Sequence, residues 1–180
     1  QEHLKSSLIY SGIFNSRTGV NDTNVFSVAK DITKSIEIGD SLCVNGVCLT
    51  VASIKTNIVC FNIINETLKS SNLAELKIKE KINLEKSLKY NGKINGHLLQ
   101  GHVECIGRII NKVNIGSEEI RFTIKIDNNL EKYCIYNGSI AIDGISLTIA
   151  KIINNNIDVA IIPFTLKNTN LYYKEINDKV

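Results

Sequence analysis

The stretch SLCVNGVCLTVASI (41–54) returns as SIAIDGISLTIAKI (139–152), and the same displacement of 98 positions lays IINETLKSSNL (63–73) over IIPFTLKNTNL (161–171) without a gap. Identities in this register include Ser41/Ser139, Gly46/Gly144, Leu49/Leu147, Thr50/Thr148, Ile63/Ile161, Thr67/Thr165, Lys69/Lys167 and Asn72/Asn170. Chance does not hold a register through so many matches. The chain is a duplicated domain whose unit is longer than the usual solenoid repeats. Its 180 residues therefore divide into two like halves, 1–93 and 94–180, with the boundary in the turn-rich KYNGKING (89–96).

Each half reads as β structure. VNGV and IDGI are Asn-Gly and Asp-Gly pairs flanked by apolar residues, the strongest short hairpin signal, because both turn positions need positive φ. Further strand-like runs cover Val25–Ala29, Asn57–Ile64, Arg121–Ile126 and Asn156–Ile162, separated by short polar turns. TLKSSNLAEL and TLKNTNL read as a brief helix or turn after a strand. Closely spaced strands and a single proline fit two small antiparallel barrels, closed so that no edge is exposed. At the same offset INDKV (176–180) overlies IKEKI (78–82), where the first unit continues into the strand-like NLEKSLKY. The second barrel is therefore expected to lack its closing strand within these residues, leaving an exposed or borrowed edge.

Composition narrows the function. A net charge of +3, with Lys and Glu mixed along the chain and no basic block among aromatics, gives no basis for nucleic-acid binding. No apolar run reaches the length of a membrane span, and no signal-peptide pattern is present, so no membrane partner is expected. Five cysteines, an odd number, fit free thiols in a reducing, cytoplasmic setting.

Three features carry candidate chemistry. Cys43 and Cys48 face each other across the Asn45-Gly46 turn, and His97 and His102 form an H-x4-H. The spacing fits no standard zinc finger and the second unit does not preserve it, so no metal is expected, and Cys43 reads as a small core residue. Cys48 takes the hairpin position that Ser146 holds in the second unit, each followed by Leu-Thr. Small hydrogen-bonding side chains at matched positions suggest two related polar pockets. HLLQGH (97–102) places two of the three histidines around a glycine where the second unit begins, which marks them as ligand or catalytic candidates.

At these residues the sequence resembles the riboflavin synthase family of the α-chain type. The matching stretches are GDSLCVNGVCLTV (39–51), INETLKSSNL (64–73), INLEKSL (82–88), GHLLQGHVECIG (96–107), NGSIAIDGISLTI (137–149) and IIPFTLKNTNL (161–171). The resemblance implies an all-β protein of two six-stranded Greek-key barrels, each binding one lumazine. A C-terminal helix gathers three such chains into a homotrimer, and these 180 residues do not include it. It implies a dismutation of two 6,7-dimethyl-8-ribityllumazine molecules to riboflavin and 5-amino-6-(D-ribitylamino)uracil, with no cofactor. In the family, the first barrel of one subunit works with the second barrel of its neighbour. The alternative is a non-catalytic paralogue that holds lumazine or riboflavin without turning it over.

By position, the resemblance assigns ligand contacts to Gly12, Ile13 and Phe14, to Cys48, Leu49 and Thr50, and to Asn62, Ile63, Ile64, Asn65, Glu66 and Thr67 in the first unit. In the second it assigns Gly101, His102 and Val103, Asn137, then Ser146, Leu147 and Thr148, and Ile162, Pro163, Phe164, Thr165, Leu166 and Lys167. His102 is the expected general acid/base. Cys48 and Ser41 are expected to position or polarise the acceptor ring, Cys48 as a possible nucleophile. Two departures stand out. The family's opening Met-Phe-Thr-Gly-Ile has its nearest match in Tyr10-Ser11-Gly12-Ile13, and the usual Lys before Gly-Ser is Asn137. A reaction between two copies of one molecule needs two related pockets that differ, and Cys48/Ser146 is one place where they do.

Overall fold

The computed structural model describes residues 10–18, 23–27 and 30–180. Residues 1–9, and Val28 and Ala29 at the end of one expected strand, lie outside the described residues. The first unit contains β1 (Tyr10–Thr18), β2 (Thr23–Ser27), α1 (Lys30–Thr33), β3 (Ser41–Val44), β4 (Val47–Lys55), β5 (Ile58–Asn62), α2 (Asn65–Ser70) and β6 (Lys81–Lys86). Its strands close into a barrel in the order β1-β2-β5-β4-β3-β6. The second unit contains β7 (Arg108–Ile115), β8 (Glu119–Lys125), β9 (Ser139–Ile142), β10 (Ile145–Ile153), β11 (Asn156–Ile161) and α3 (Pro163–Lys167).

The second unit corrects the expectation of two six-stranded barrels. Its sheet has five strands, in the order β7-β8-β11-β10-β9. In the first barrel, β6 bridges β1 and β3. At the matching seam of the second unit, residues 177–180 run only beside the start of β7. Gly107 and Val180 exchange backbone hydrogen bonds of 2.9 and 3.0 Å, and Arg108 pairs with Lys179. β9 therefore has a free edge among the described residues, as the repeat register implies.

Alternation explains the two cores. Leu42, Val44, Val47, Leu49, Val51, Val59, Phe61, Ile82 and Leu84 point into the first barrel. Ile109, Phe122, Ile124, Ile142, Ile145, Leu147, Ile157, Val159 and Ile161 fill the curve of the second sheet. Because strand side chains alternate, Ser41, Cys43, Cys48 and Thr50 are consigned to the outer surface of the first barrel. Cys43 is thus a half-buried residue of the outer face and not the core residue its small size suggested.

Both predicted hairpin turns form, with φ of +46° and +81° at Asn45-Gly46 and +48° and +79° at Asp143-Gly144. They also touch. A Cβ placed on Gly46 would lie 2.7 Å from the Gly144 nitrogen, and one on Gly144 would lie 2.7 Å from the Gly46 nitrogen. The two units therefore meet turn to turn about an approximate twofold axis.

A buried polar network surrounds that contact. Asn72 Nδ2 donates to Asp143 Oδ1 at 2.9 Å, and its repeat mate Asn170 donates to Asn45 Oδ1 at 3.4 Å and to Asp143 Oδ2 at 2.6 Å. Asn83 ties the strands across the axis. Its backbone N–H donates to Asn45 Oδ1, and its side-chain amide donates to the Asp143 carbonyl and to Asn170 Oδ1, each at 2.8 Å. Lys174 approaches Asp143 at 3.7 Å and Glu80 at 3.5 Å. Burial pushes the Asp143 carboxyl above the ordinary carboxylate value, while Lys174 and the Asn170 and Asn72 amides pull it down.

Candidate ligand sites on the two hairpins

The site is built from the outer faces of the hairpins and the linker that crosses between them. On β3 and β4, Ser41 pairs with Thr50 and Cys43 with Cys48. On β9 and β10, Ser139 pairs with Thr148 and Ala141 with Ser146. Cys48, Thr50 and Thr148 are exposed, and Ser146 is half-buried. Beside each patch, the strand after the hairpin runs into a short helix at the barrel rim, placing Asn62 to Thr67 in one unit and Ile162 to Lys167 in the other. Each rim exposes an isoleucine at the same repeat position, Ile64 at 68% and Ile162 at 57%, with Phe164 exposed beside the second. A polar strand face bordered by exposed apolar side chains suits a flat, heteroatom-rich ring.

The linker visits both hairpins. Gly96, at φ +79°, packs so closely on Ser146 that a Cβ would lie 2.5 Å from its Oγ. The next residue, His97, forms a 2.7 Å hydrogen bond between its Nδ1 and Ser146 Oγ. Five residues after Gly96, Gly101, at φ +78°, lies against Cys48, where a Cβ would fall 2.5 Å from the Cys48 Cβ. The Gly101 carbonyl accepts the Cys48 N–H at 2.9 Å. Thus Gly-His occurs twice in GHLLQGH, once on each hairpin.

The crossing puts the linker in contact with both units. The resemblance assigns Gly101, His102 and Val103 to the second unit; Gly101 touches Cys48 and Val103 packs against the first core, while all three line a cleft together with Ile124, Ile126 and Ile140 of the second unit. Farther along, Cys105 packs against the second core. The partner that reaches the second hairpin is His97, which the motif contained but which residue type alone did not separate from His102.

The remaining expected residues divide by strand alternation. Phe14, Leu49, Ile63 and Leu147 have buried side chains, so toward an outer-face ligand they can offer only backbone groups. Gly12 is buried against Leu84 and Ile82, and Ile13 is half-buried. Asn62, Ile64, Asn65, Glu66, His102, Asn137, Ile162, Pro163, Phe164 and Lys167 are exposed, while Thr67, Thr165 and Leu166 are half-buried. Asn137 holds φ +60° in the turn before β9, where its N–H donates to the Ile149 carbonyl at 2.9 Å. Ser41 is exposed at the barrel mouth, and its carbonyl accepts the Ser87 hydroxyl at 3.1 Å.

The thiols are unequal. The Cys43 thiol is pushed up to about 12 by burial first, then by the charges of Cys48 and Glu85. Burial likewise raises Cys105 and Cys134. Among the described residues no three His, Cys, Asp or Glu side chains gather as a metal site, and His97 is engaged with Ser146. No described helix is long and apolar enough to cross a membrane.

A cleft of about 820 Å³ is lined by the linker, by both turns, and by Ile124, Ile126, Ile140, Ile142 and Ile149. It includes Gly101, His102 and Val103 but not Cys48, Thr50, Ser146 or Thr148. Much of its lining is the uncovered interior of the five-stranded sheet, the surface that Ile82 and Leu84 of β6 fill in the first barrel. Its volume reflects the open seam, and the outer faces of the hairpins remain the better candidate sites.

Comparison with known proteins agrees with the duplicated architecture. The sequence pattern of the lumazine binding domain matches residues 11–87 and again 100–180. The chain is 39% identical over 152 residues to the riboflavin synthase of Actinobacillus pleuropneumoniae, covering 84% of this chain and 70% of that protein. It is 42% identical over 149 residues to the riboflavin synthase of Buchnera aphidicola subsp. Schizaphis graminum, covering 83% and 72%. Among solved structures, LumP complexed with riboflavin superposes with a TM-score of 0.88 at 25% identity, over 98% of this chain and 97% of that one. LumP complexed with 6,7-dimethyl-8-(1'-D-ribityl) lumazine gives 0.85 at 26% identity, over 96% and 94%. With both halves matched and relatives of this similarity spanning most of its length, the chain belongs to the lumazine-binding domain family.

Proposed function

We propose that this protein binds 6,7-dimethyl-8-ribityllumazine or riboflavin on the outer face of each hairpin, one molecule per unit. The observation that carries the reading is the repeated surface itself. Cys48, Thr50, Ile64 and Thr67 recur at the repeat positions as Ser146, Thr148, Ile162 and Thr165, in a chain superposable on LumP, which is complexed with such ligands. Hydroxyls of the threonines suit the ribityl chain and the pyrimidine edge, the apolar rims suit the ring, and Asn62 and Glu66 offer further polar groups. Titrating the protein with 6,7-dimethyl-8-ribityllumazine and following its fluorescence tests this directly. Saturation at two molecules per chain is expected; no change up to millimolar ligand would overturn the reading.

A second reading adds catalysis: dismutation of two lumazines to riboflavin and 5-amino-6-(D-ribitylamino)uracil. The Cys48/Ser146 difference favours it, because one substrate must donate a four-carbon unit and the other must accept it. The relatives at 39% and 42% identity are riboflavin synthases. In this reading His102, exposed beside Gly101 on the Cys48 side, removes a proton from the 7-methyl group of one lumazine. Cys48 and Ser41 position the acceptor ring, Cys48 adding to it if it acts as a nucleophile. Bringing two rings together converts an encounter in solution into an effectively unimolecular step, worth about 7 kcal/mol or more of the barrier when alignment is good. Homo-oligomer assembly, a trimer in the family pattern, belongs to this reading because it brings the first unit of one chain to the second unit of another. Riboflavin formation from lumazine alone, lost on His102→Gln, is the expected result. Tight binding of lumazine with no riboflavin formed would leave the carrier function standing and remove the synthase.

A further inference from the structure

The first hairpin holds a pair of facing thiols that the second hairpin does not repeat. Cys43 and Cys48 are directly opposed residues on β3 and β4, one pair beyond the Asn45-Gly46 turn. Opposed residues of an antiparallel pair have Cα atoms about 4.5–5.5 Å apart, within the span a disulfide bridges. Both cysteines are free, Cys43 half-buried and Cys48 exposed. On the other side of Cys43, Glu85 is its direct partner on β6, so a thiol, a second thiol and a carboxyl stand in one row across β4, β3 and β6. The matching pair in the second unit is Ala141 and Ser146, which cannot oxidise.

We propose that Cys43 and Cys48 form a reversible disulfide, with Glu85 taking the proton of the closing thiol and a low-molecular-weight disulfide such as oxidised glutathione as the oxidant. Cys48 is the exposed member and reacts first. Its thiolate attacks one sulfur of the oxidant, forming a mixed disulfide and releasing one thiolate. Cys43 then gives its proton to the Glu85 carboxylate, and its sulfur attacks the Cys48 sulfur and expels the second thiolate. Two protein thiols lose two electrons, the oxidant gains them, and two reduced molecules leave with both protons. Burial first, and then the charges of Cys48 and Glu85, hold the Cys43 proton tightly, so the second step calls for a proton acceptor within reach, which Glu85 supplies as the direct partner on β6. The same burial raises the Glu85 carboxyl, which makes it a better proton acceptor.

Oxidation would remove the free thiol of the first hairpin while leaving the Ser146 site unaltered, so it would change one pocket of the two. That consequence rests on the ligand sites proposed above; formation of the bond does not, and its assay needs no ligand. The experiment equilibrates the reduced full chain with mixtures of reduced and oxidised glutathione, blocks remaining thiols by alkylation, and maps peptides by mass. The expected product links Cys43 to Cys48, leaves Cys60, Cys105 and Cys134 alkylated, and reverts on reduction. A Cys43→Ala variant, which copies Ala141 of the second unit, is expected to stop at a stable glutathione adduct on Cys48. Glu85→Gln is expected to form that adduct at the parent rate and to close it about a hundredfold more slowly. A parent protein that stops at the adduct, or stays fully reduced under strongly oxidising mixtures, overturns the proposal. Parent-like closure in Glu85→Gln overturns the role of the carboxylate.

Discussion

At the scale of single residues, the turn-to-turn contact makes the sharpest demand on chemistry. Gly46 and Gly144 are required twice over, by φ near +80° and by the backbone each faces. Gly116 isolates the first requirement, since it has φ +67° and a side-chain carbon added there would meet nothing within 4 Å. Gly116→Ala should cost about 1–2 kcal/mol from the left-handed backbone alone. Gly46→Ala should cost a further 1–3 kcal/mol or so from the forced separation, read by chemical denaturation. Equal losses for the two variants would mean that the contact between the turns contributes nothing. Asp143 adds a pH dependence. Its carboxyl is raised in the folded state, so the folded protein holds that proton more tightly than the unfolded chain does. Its contribution to stability therefore falls as pH rises from the ordinary carboxylate value, about 4, through the raised one. Denaturation of parent and Asp143→Asn proteins across that window should show a decline in the parent that the variant lacks. A parallel pH profile in both would contradict the burial argument.

At the scale of elements, strand alternation was legible in the sequence and the path of the linker was not. The Asn-Gly and Asp-Gly turns, the strands around them and the rim helices at 65–70 and 163–167 all followed from local patterns, because each depends on residues close in sequence. The path of the linker is a different matter. A linker of glycines, polar residues and scattered exposed apolar ones such as Ile94, Leu98 and Leu99 carries no period, so nothing local says which hairpin it touches. The buried asparagines escaped for a similar reason. In a chain rich in Asn, residues 72, 83 and 170 look like surface composition, although the Asn72/Asn170 identity was a signal that the position is held for structural reasons. The linker gives its own test. Gly96→Ala drives a methyl into Ser146 and Gly101→Ala drives one into Cys48. In a two-site titration the first variant should weaken one lumazine site, the second should weaken the other, and each should leave its companion within about twofold of the parent. Loss of both sites in either variant would mean that the linker acts as a general brace and not as two separate contacts.

At the scale of the whole molecule, duplication explains both the likeness of the two units and their differences. Turn packing and a shared polar network hold a closed barrel and an open five-stranded sheet in one quasi-symmetric body. The asymmetry is concentrated at the surface. One hairpin carries two thiols beside a carboxylate, and the other carries a hydroxyl held by an imidazole. The central claim is that both hairpins are lumazine sites. Equilibrium titration of the reduced 180-residue protein with 6,7-dimethyl-8-ribityllumazine tests it most directly, with Thr50→Val and Thr148→Val variants alongside. Two bound molecules per chain are predicted for the parent and one for each variant. A single site unaffected by either substitution, or no binding at all, would contradict the account.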